Sequence, residues 1–196
     1  MSKTKKMLIA VSSLLLVFSL VSMTRIFLRD YTEQQKIEEL TEAEYYLNHD
    51  FDKRENTGGL PFLDKDSEAD TSNILLIHGH HMKSGWMFKD LMKYKNESFY
   101  KEHATFQFST LYEKEEYEIV AVILSEVYRK SDDVFKYYQI GVINTPAEFD
   151  SYVQNIKKLA LYDTGVTAHY GDKLVVLSTC EYSTENGRLA VVARKR

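Results

Sequence analysis

A single cysteine, Cys180, leaves no partner for an internal disulfide, so no covalent framework supports the fold. Lysine and arginine (25) do not outnumber aspartate and glutamate (29). A net charge of −4 with the signs well mixed excludes the basic face of a nucleic-acid binder. Proline occurs twice, and the chain has no internal repeat or low-complexity tract. That excludes repeat architectures and Pro-rich linkers. Aromatic residues, in contrast, are plentiful: 14 tyrosines and 10 phenylalanines. With the β-branched residues they favour a sheet-rich fold. The length, 196 residues, suits one domain with a real core.

One long apolar run stands out. Lys3, Lys5 and Lys6 precede a stretch from Met7 to about Met23, interrupted by Ser12, Ser13, Ser19 and Ser22, and Arg25 and Arg29 follow it. It is near the length needed to span a bilayer, and comfortable when extended through Ile26–Leu28. The leading lysines keep that end in the cytoplasm and send the rest outside. The expectation is a single-pass anchor in the cell membrane over residues 1–29, with a cleaved signal as the competing reading. Residues 30–44 read as a juxtamembrane linker, with a short charged helix over Asp30–Glu42, and 45–196 as the extracellular domain.

Beyond Tyr45 the pattern is many strands with a few helices. Gly58-Gly59 marks a turn, and Asp64–Ser72 reads as a loop. Asn73–His78 is a short apolar run of the kind a buried strand makes. Met87–Tyr94 and Glu97–His103 read as short helices. Thr105–Thr110 alternates as a half-buried strand does, and Tyr117–Val127 is a longer strand, with the run Glu113–Glu118 as a solvated edge. Thr145-Pro146-Ala147-Glu148 is a helix start with a capping box. Phe149, Val153, Ile156 and Ala160 then share one face. Lys173–Thr179 and Arg188–Ala193 are two apolar strands joined through Asn186-Gly187. The fold class is α+β, mainly β.

Cys180 ends a strongly apolar strand, and Arg188 begins the next one. This presents a thiol at a sheet edge with a fixed positive charge nearby. Outside the cell a lone cysteine is an intermolecular link or a free, reactive thiol. On composition alone it is more often a small buried hydrophobe. A nucleophilic thiol needs a base or an electrostatic partner. His78, His80 and His81 cluster just past a strand end, so they and Cys180 can meet on one rim of a sheet. A His-x-His pair is also a metal pattern, but no carboxylate lies at close spacing.

These residues resemble a known family. Leu177-Ser178-Thr179-Cys180, followed by Arg188 after a short polar loop, is similar to the signature of the sortases. Gly79-His80-His81-Met82-Lys83-Ser84-Gly85-Trp86-Met87-Phe88 resembles the histidine motif of class B sortases. Tyr45–Phe51, Phe62-Leu63-Asp64, Phe99–His103 and the insert Asp133–Gly165 extend the likeness to the C-terminus. The resemblance implies a sortase-type β-barrel with inserted helices over 45–196, without the usual N-terminal helices and first strand. It implies a cysteine transpeptidase that needs no metal or other cofactor. Cys180 would be the nucleophile and His80 the general acid and base, with Arg188 stabilising the oxyanion. Thr179 and Ser178 would line the substrate site, while His78 and His81 fall at the wrong positions of the motif. The implied partners are surface or pilin proteins bearing a C-terminal sorting signal, and an amine of a peptidoglycan precursor or a pilin lysine. The alternative is a shortened, catalytically weak relative that binds sorting peptides without turnover.

Overall fold

The computed structural model describes residues 5, 19–28, 45–82, 84–110, 113–129, 131–141 and 143–196. The chain divides into two units, Met1–Glu42 and Ala43–Arg196. In the first, residues 19–28 form a helix, α1, with Leu20, Met23 and Phe27 exposed. Among the described residues no helix is long and apolar enough to cross a membrane. Most of the expected anchor and all of the helix expected over Asp30–Glu42 lie outside the described residues.

The second unit is built on one mixed sheet. Its strands are β1 (Phe62–Leu63), β2 (Ile74–His78), β3 (Thr105–Ser109), β4 (Lys114–Glu126), β5 (Leu174–Cys180) and β6 (Gly187–Lys195). Their spatial order is β1-β2-β5-β6-β4-β3. β2 and β5 run parallel, in register from Ile74↔Leu174 to His78↔Ser178, and every other pair is antiparallel. Covered on both faces, the parallel pair reads as near-continuous apolar sequence rather than as alternation.

Alternation along the strands instead deals side chains to two cores. Leu76, Ile123, Leu174, Val176, Ala190 and Val192 pack on one face of the sheet. Over them lie Tyr137 and helix α3 (Pro146–Leu159), whose Phe149, Tyr152, Val153 and Ile156 are buried. The predicted capping box is present: Thr145 accepts from the Glu148 amide, and Glu148 accepts from the Thr145 amide. On the other face Val122, Val175, Leu189, Val191 and Ala193 pack against Tyr94 and Tyr100. These come from a 3-10 segment, Phe88–Lys95, and helix α2, Glu97–Glu102.

Two strands depart from the sequence pattern. β4 begins at Lys114, inside the acidic run. The β3 ladder holds that half, and charges from the chain end hold its acids. Arg194 pairs with Glu118 at 3.3 Å, Arg196 with Glu116 at 3.0 Å, and Lys195 with Glu115. A bulge between Ile119 and Ala121 then turns both Val120 and Ala121 to the α3 face. β1, with two residues, carries no periodicity to read. Beyond it the edge of β2 is satisfied by a side chain: Ser67 donates to Ile74 O and accepts from the Leu76 amide. Among the described residues β1 and β3 are the sheet edges and do not pair with each other, which leaves the curled sheet an open half-barrel.

Candidate active site

Cys180, the last residue of β5, lies directly opposite Arg188 of β6. Residues so paired on antiparallel strands have Cβ atoms roughly 5 Å apart and project from the same face. That face is the one shared by Val176 and Ala190, beneath Tyr137. The return loop is fixed by Asn186, at φ 58, and by a 2.9 Å hydrogen bond from the Glu181 amide to Gly187 O. Asparagine tolerates that left-handed conformation. The Arg188 Nη1 rests on two carbonyls of its own loop, Gly187 O at 3.0 Å and Asn186 O at 3.4 Å. Cys180 is half-buried.

The histidine segment reaches the same rim because β2 keeps running beside β5 after its last ladder residue. The Gly79 amide donates to Ser178 O at 3.0 Å, and Thr179 Oγ1 donates to Gly79 O at 2.8 Å. Gly79 is required by close approach: a Cβ there would stand 2.7 Å from the Phe88 ring. His80 therefore emerges alongside Thr179 and Cys180. Its Nε2 donates to Leu47 O at 2.8 Å. A carbonyl only accepts, so Nε2 carries the proton and Nδ1 of the neutral ring is left as the accepting nitrogen.

The neighbouring histidines are engaged elsewhere. His78 Nε2 bonds Asp64 Oδ2 at 2.9 Å, and His81 Nδ1 donates to Cys180 O at 3.1 Å. Burial pushes the Asp64 carboxyl up, but the bonds from His78 and the Asp66 amide outweigh it and hold it below the usual range. Three rings with three separate acceptors do not converge on a shared ion. Among the described residues no group of three or more His, Cys, Asp or Glu is placed to hold a metal.

The two hydroxyls expected to line the site are taken up inside the protein. Ser178 is 1% exposed, and its Oγ lies 2.7 Å from the Tyr137 hydroxyl. Thr179, 2% exposed, is committed to Gly79 O. Burial pushes Tyr137 up to about 12, although Ser178 and the Arg188 charge pull the other way. Its hydroxyl stays protonated at any working pH. Tyr152 donates to Tyr137 O at 3.0 Å and fixes the backbone behind it.

Beside the thiol, Glu181 is buried yet ionised. The Ser183 hydroxyl bond, then Lys95 at 3.0 Å and the Ser183 amide, outweigh burial and hold it at about 2. Sequence reasoning gave no role at the site to Glu181, Lys95, Tyr137 or the Leu47 carbonyl. A backbone acceptor leaves no trace in residue type. Leu47 does sit inside the Tyr45–Phe51 motif, and that placement was the available signal.

A family model for the sortase domain matches residues 36–196. The chain is 32% identical over 151 residues to sortase B of Listeria monocytogenes, a match covering 76% of this chain and 58% of the relative. It thus spans under two thirds of that relative's length. Among solved structures it resembles a Staphylococcus aureus sortase B–substrate complex, with a TM-score of 0.67 and 26% identity over 78% of this chain and 69% of that one. It also resembles Listeria monocytogenes sortase B, with a TM-score of 0.65 and 29% identity over 77% and 81% of the two chains. With the thiol, guanidinium and histidine segment brought to one rim of such a fold, the chain belongs to the sortase family, on its class B branch.

Proposed function

We propose that this protein is a membrane-anchored cysteine transpeptidase. It cleaves a C-terminal sorting signal and transfers the protein to an amine of a cell-wall precursor or of a pilin lysine. The observation that carries the reading is the direct pairing of Cys180 with Arg188, with Gly79–His81 running beside Ser178–Cys180. The apolar run Met7–Met23 supports an anchor, and its lysine flank supports an extracellular domain.

In this mechanism the Cys180 thiol gives its proton to His80 Nδ1 as its sulfur attacks the scissile carbonyl and forms a tetrahedral oxyanion. Arg188, always charged, leaves its loop carbonyls and faces that oxygen. The Glu181 amide already donates to Gly187 O, so the guanidinium carries most of this role. The C–N bond breaks as His80 protonates the departing amine, and a thioester to Cys180 remains. His80 then takes a proton from the incoming amine, which attacks the thioester and releases the thiol. Ser178 and Thr179 act through the buried contacts that hold β5 against Tyr137 and Gly79.

A second reading, peptide binding without turnover, draws on the resting arginine, which is spent on its own loop. One experiment separates the two. The full chain is incubated with a panel of sorting peptides and an amine, and its intact mass is followed. An adduct on Cys180 that the amine releases supports the transpeptidase. Peptide binding that survives Cys180→Ala, with no adduct on the unmodified chain, supports the binder.

A further inference from the structure

Two residues past the Gly79–Ser178 bond, a side chain continues the ladder between the two segments. The His81 ring, through Nδ1, donates to Cys180 O at 3.1 Å. Tyr182 returns over the same ring, stacked at 5.1 Å between centroids, and its hydroxyl donates to His81 O at 3.2 Å. His81 is thus bound through its ring to Cys180 and through its backbone to Tyr182. Tyr182 is 63% exposed, so these contacts bury little and serve no core. His81 also forms an isolated antiparallel bridge with Met87. His80 sits between two anchors: Leu47 O holds its ring, and the next residue is tied to the nucleophile's own carbonyl.

We propose that His81 and Tyr182 are positioning residues, a latch that sets the separation of His80 from Cys180. The proposal rests on the transpeptidase reading. Neither side chain is assigned a reacting atom. The Cys180 carbonyl accepts from His81, so the strand end cannot drift without moving the segment that carries His80. Proton transfer requires heavy atoms within hydrogen-bond reach, and a displacement of about 1 Å costs up to roughly a hundredfold in rate.

The test uses the full chain as the unmodified protein and as His81→Ala, His81→Asn and Tyr182→Phe, with His80→Ala as reference. Two rates are measured for each: alkylation of Cys180 by iodoacetamide, which needs no peptide, and transfer of a sorting peptide to an amine. His81→Ala is expected to lower kcat about tenfold with KM little changed, and to slow alkylation toward the His80→Ala rate. Asparagine keeps an N–H donor for Cys180 O, so His81→Asn recovers most of both rates. Tyr182→Phe keeps the stack, loses the hydroxyl bond and falls between. Alkylation and kcat unchanged by His81→Ala, or a loss that asparagine does not recover, overturns the latch. If His81→Ala fails to fold, an unchanged Tyr182→Phe overturns it. If the unmodified chain transfers no peptide, the transpeptidase reading fails, and the alkylation series alone decides the latch.

Discussion

The carbonyl of Leu47 accepts the Nε2 proton of His80 at 2.8 Å, across 33 residues of sequence. That carbonyl is itself set by Gly59. Gly59 adopts φ +52, and a Cβ at this position would stand 2.2 Å from Leu47 O and 2.4 Å from Tyr46 O. Gly59→Ala therefore moves the acceptor that orients His80. It should cost more than the ~1–2 kcal/mol of an ordinary left-handed alanine and should lower transfer beyond the loss of folded protein. Gly165 is the control: it has φ +71 but nothing within 4 Å of a Cβ. Gly165→Ala should lose about 1 kcal/mol and keep its turnover per folded molecule. Melting curves and transfer rates on both variants decide the point, and equal turnover would remove Gly59 from the site.

The reacting groups give graded expectations. Cys180→Ala should form no acyl adduct. His80→Ala should slow transfer by about 10²–10⁴, the range for a positioned acid–base group. Arg188→Lys keeps the charge but gives up the planar fork, and should still lose about 10². Full activity in His80→Ala would assign the base elsewhere. His78 is then the first place to look, since it lies opposite Ser178 on the parallel strand.

The sequence made some of this legible. Apolar runs around Leu76 and Val176 exposed the buried parallel strands, and Asn186-Gly187 between two runs implied that Cys180 and Arg188 return side by side. Thr145 and Glu148 announced α3 through a local contact that needs no tertiary context. Other features depend on context that residue type does not encode. Glu116 is solvated as its run implied, but Glu115 is largely covered and pairs with Lys195 from the far end of the chain. A two-residue strand such as β1 has no period. The resemblance to the sortases implied that Ser178 and Thr179 line the substrate site, and residue type says nothing of where their hydroxyls go. Their hydroxyls are absorbed by Tyr137, 41 residues away, and Gly79, 100 residues away.

The Tyr137–Ser178 pair gives a stability prediction that a cycle of variants can isolate. Both hydroxyls are buried, and each satisfies the other at 2.7 Å. Tyr137→Phe leaves the Ser178 hydroxyl unpaired and should cost about 1–3 kcal/mol. That is roughly 2–4 °C of melting temperature per kcal/mol for a domain of this size. Adding Ser178→Ala removes the stranded group, so the double variant should be more stable than Tyr137→Phe alone. Strict additivity of the two losses would mean the hydroxyls do not depend on each other.

Glu181 links the loop after the nucleophile to pH. Its carboxyl is lowered from the usual 4.5 to about 2, first by the Ser183 hydroxyl and then by Lys95 and the Ser183 amide. A depressed acid binds protons less readily when folded than when unfolded, so the ionised form favours the native state. This stabilisation is complete above about pH 4.5 and drains away as the pH falls toward 2. Glu181→Gln removes it. At pH 7 the variant should unfold about 1.5–3 kcal/mol more easily, the range for bonds to a charged group. By pH 3 the gap from the unmodified protein should have narrowed. Asp64 is lowered as well, but it is present in both proteins, so the difference between them reports Glu181. Urea midpoints at pH 7, 4.5 and 3 measure the gap. A gap that stays constant across that range would mean the Glu181 charge contributes nothing, and that Lys95 and Ser183 hold the loop by packing alone.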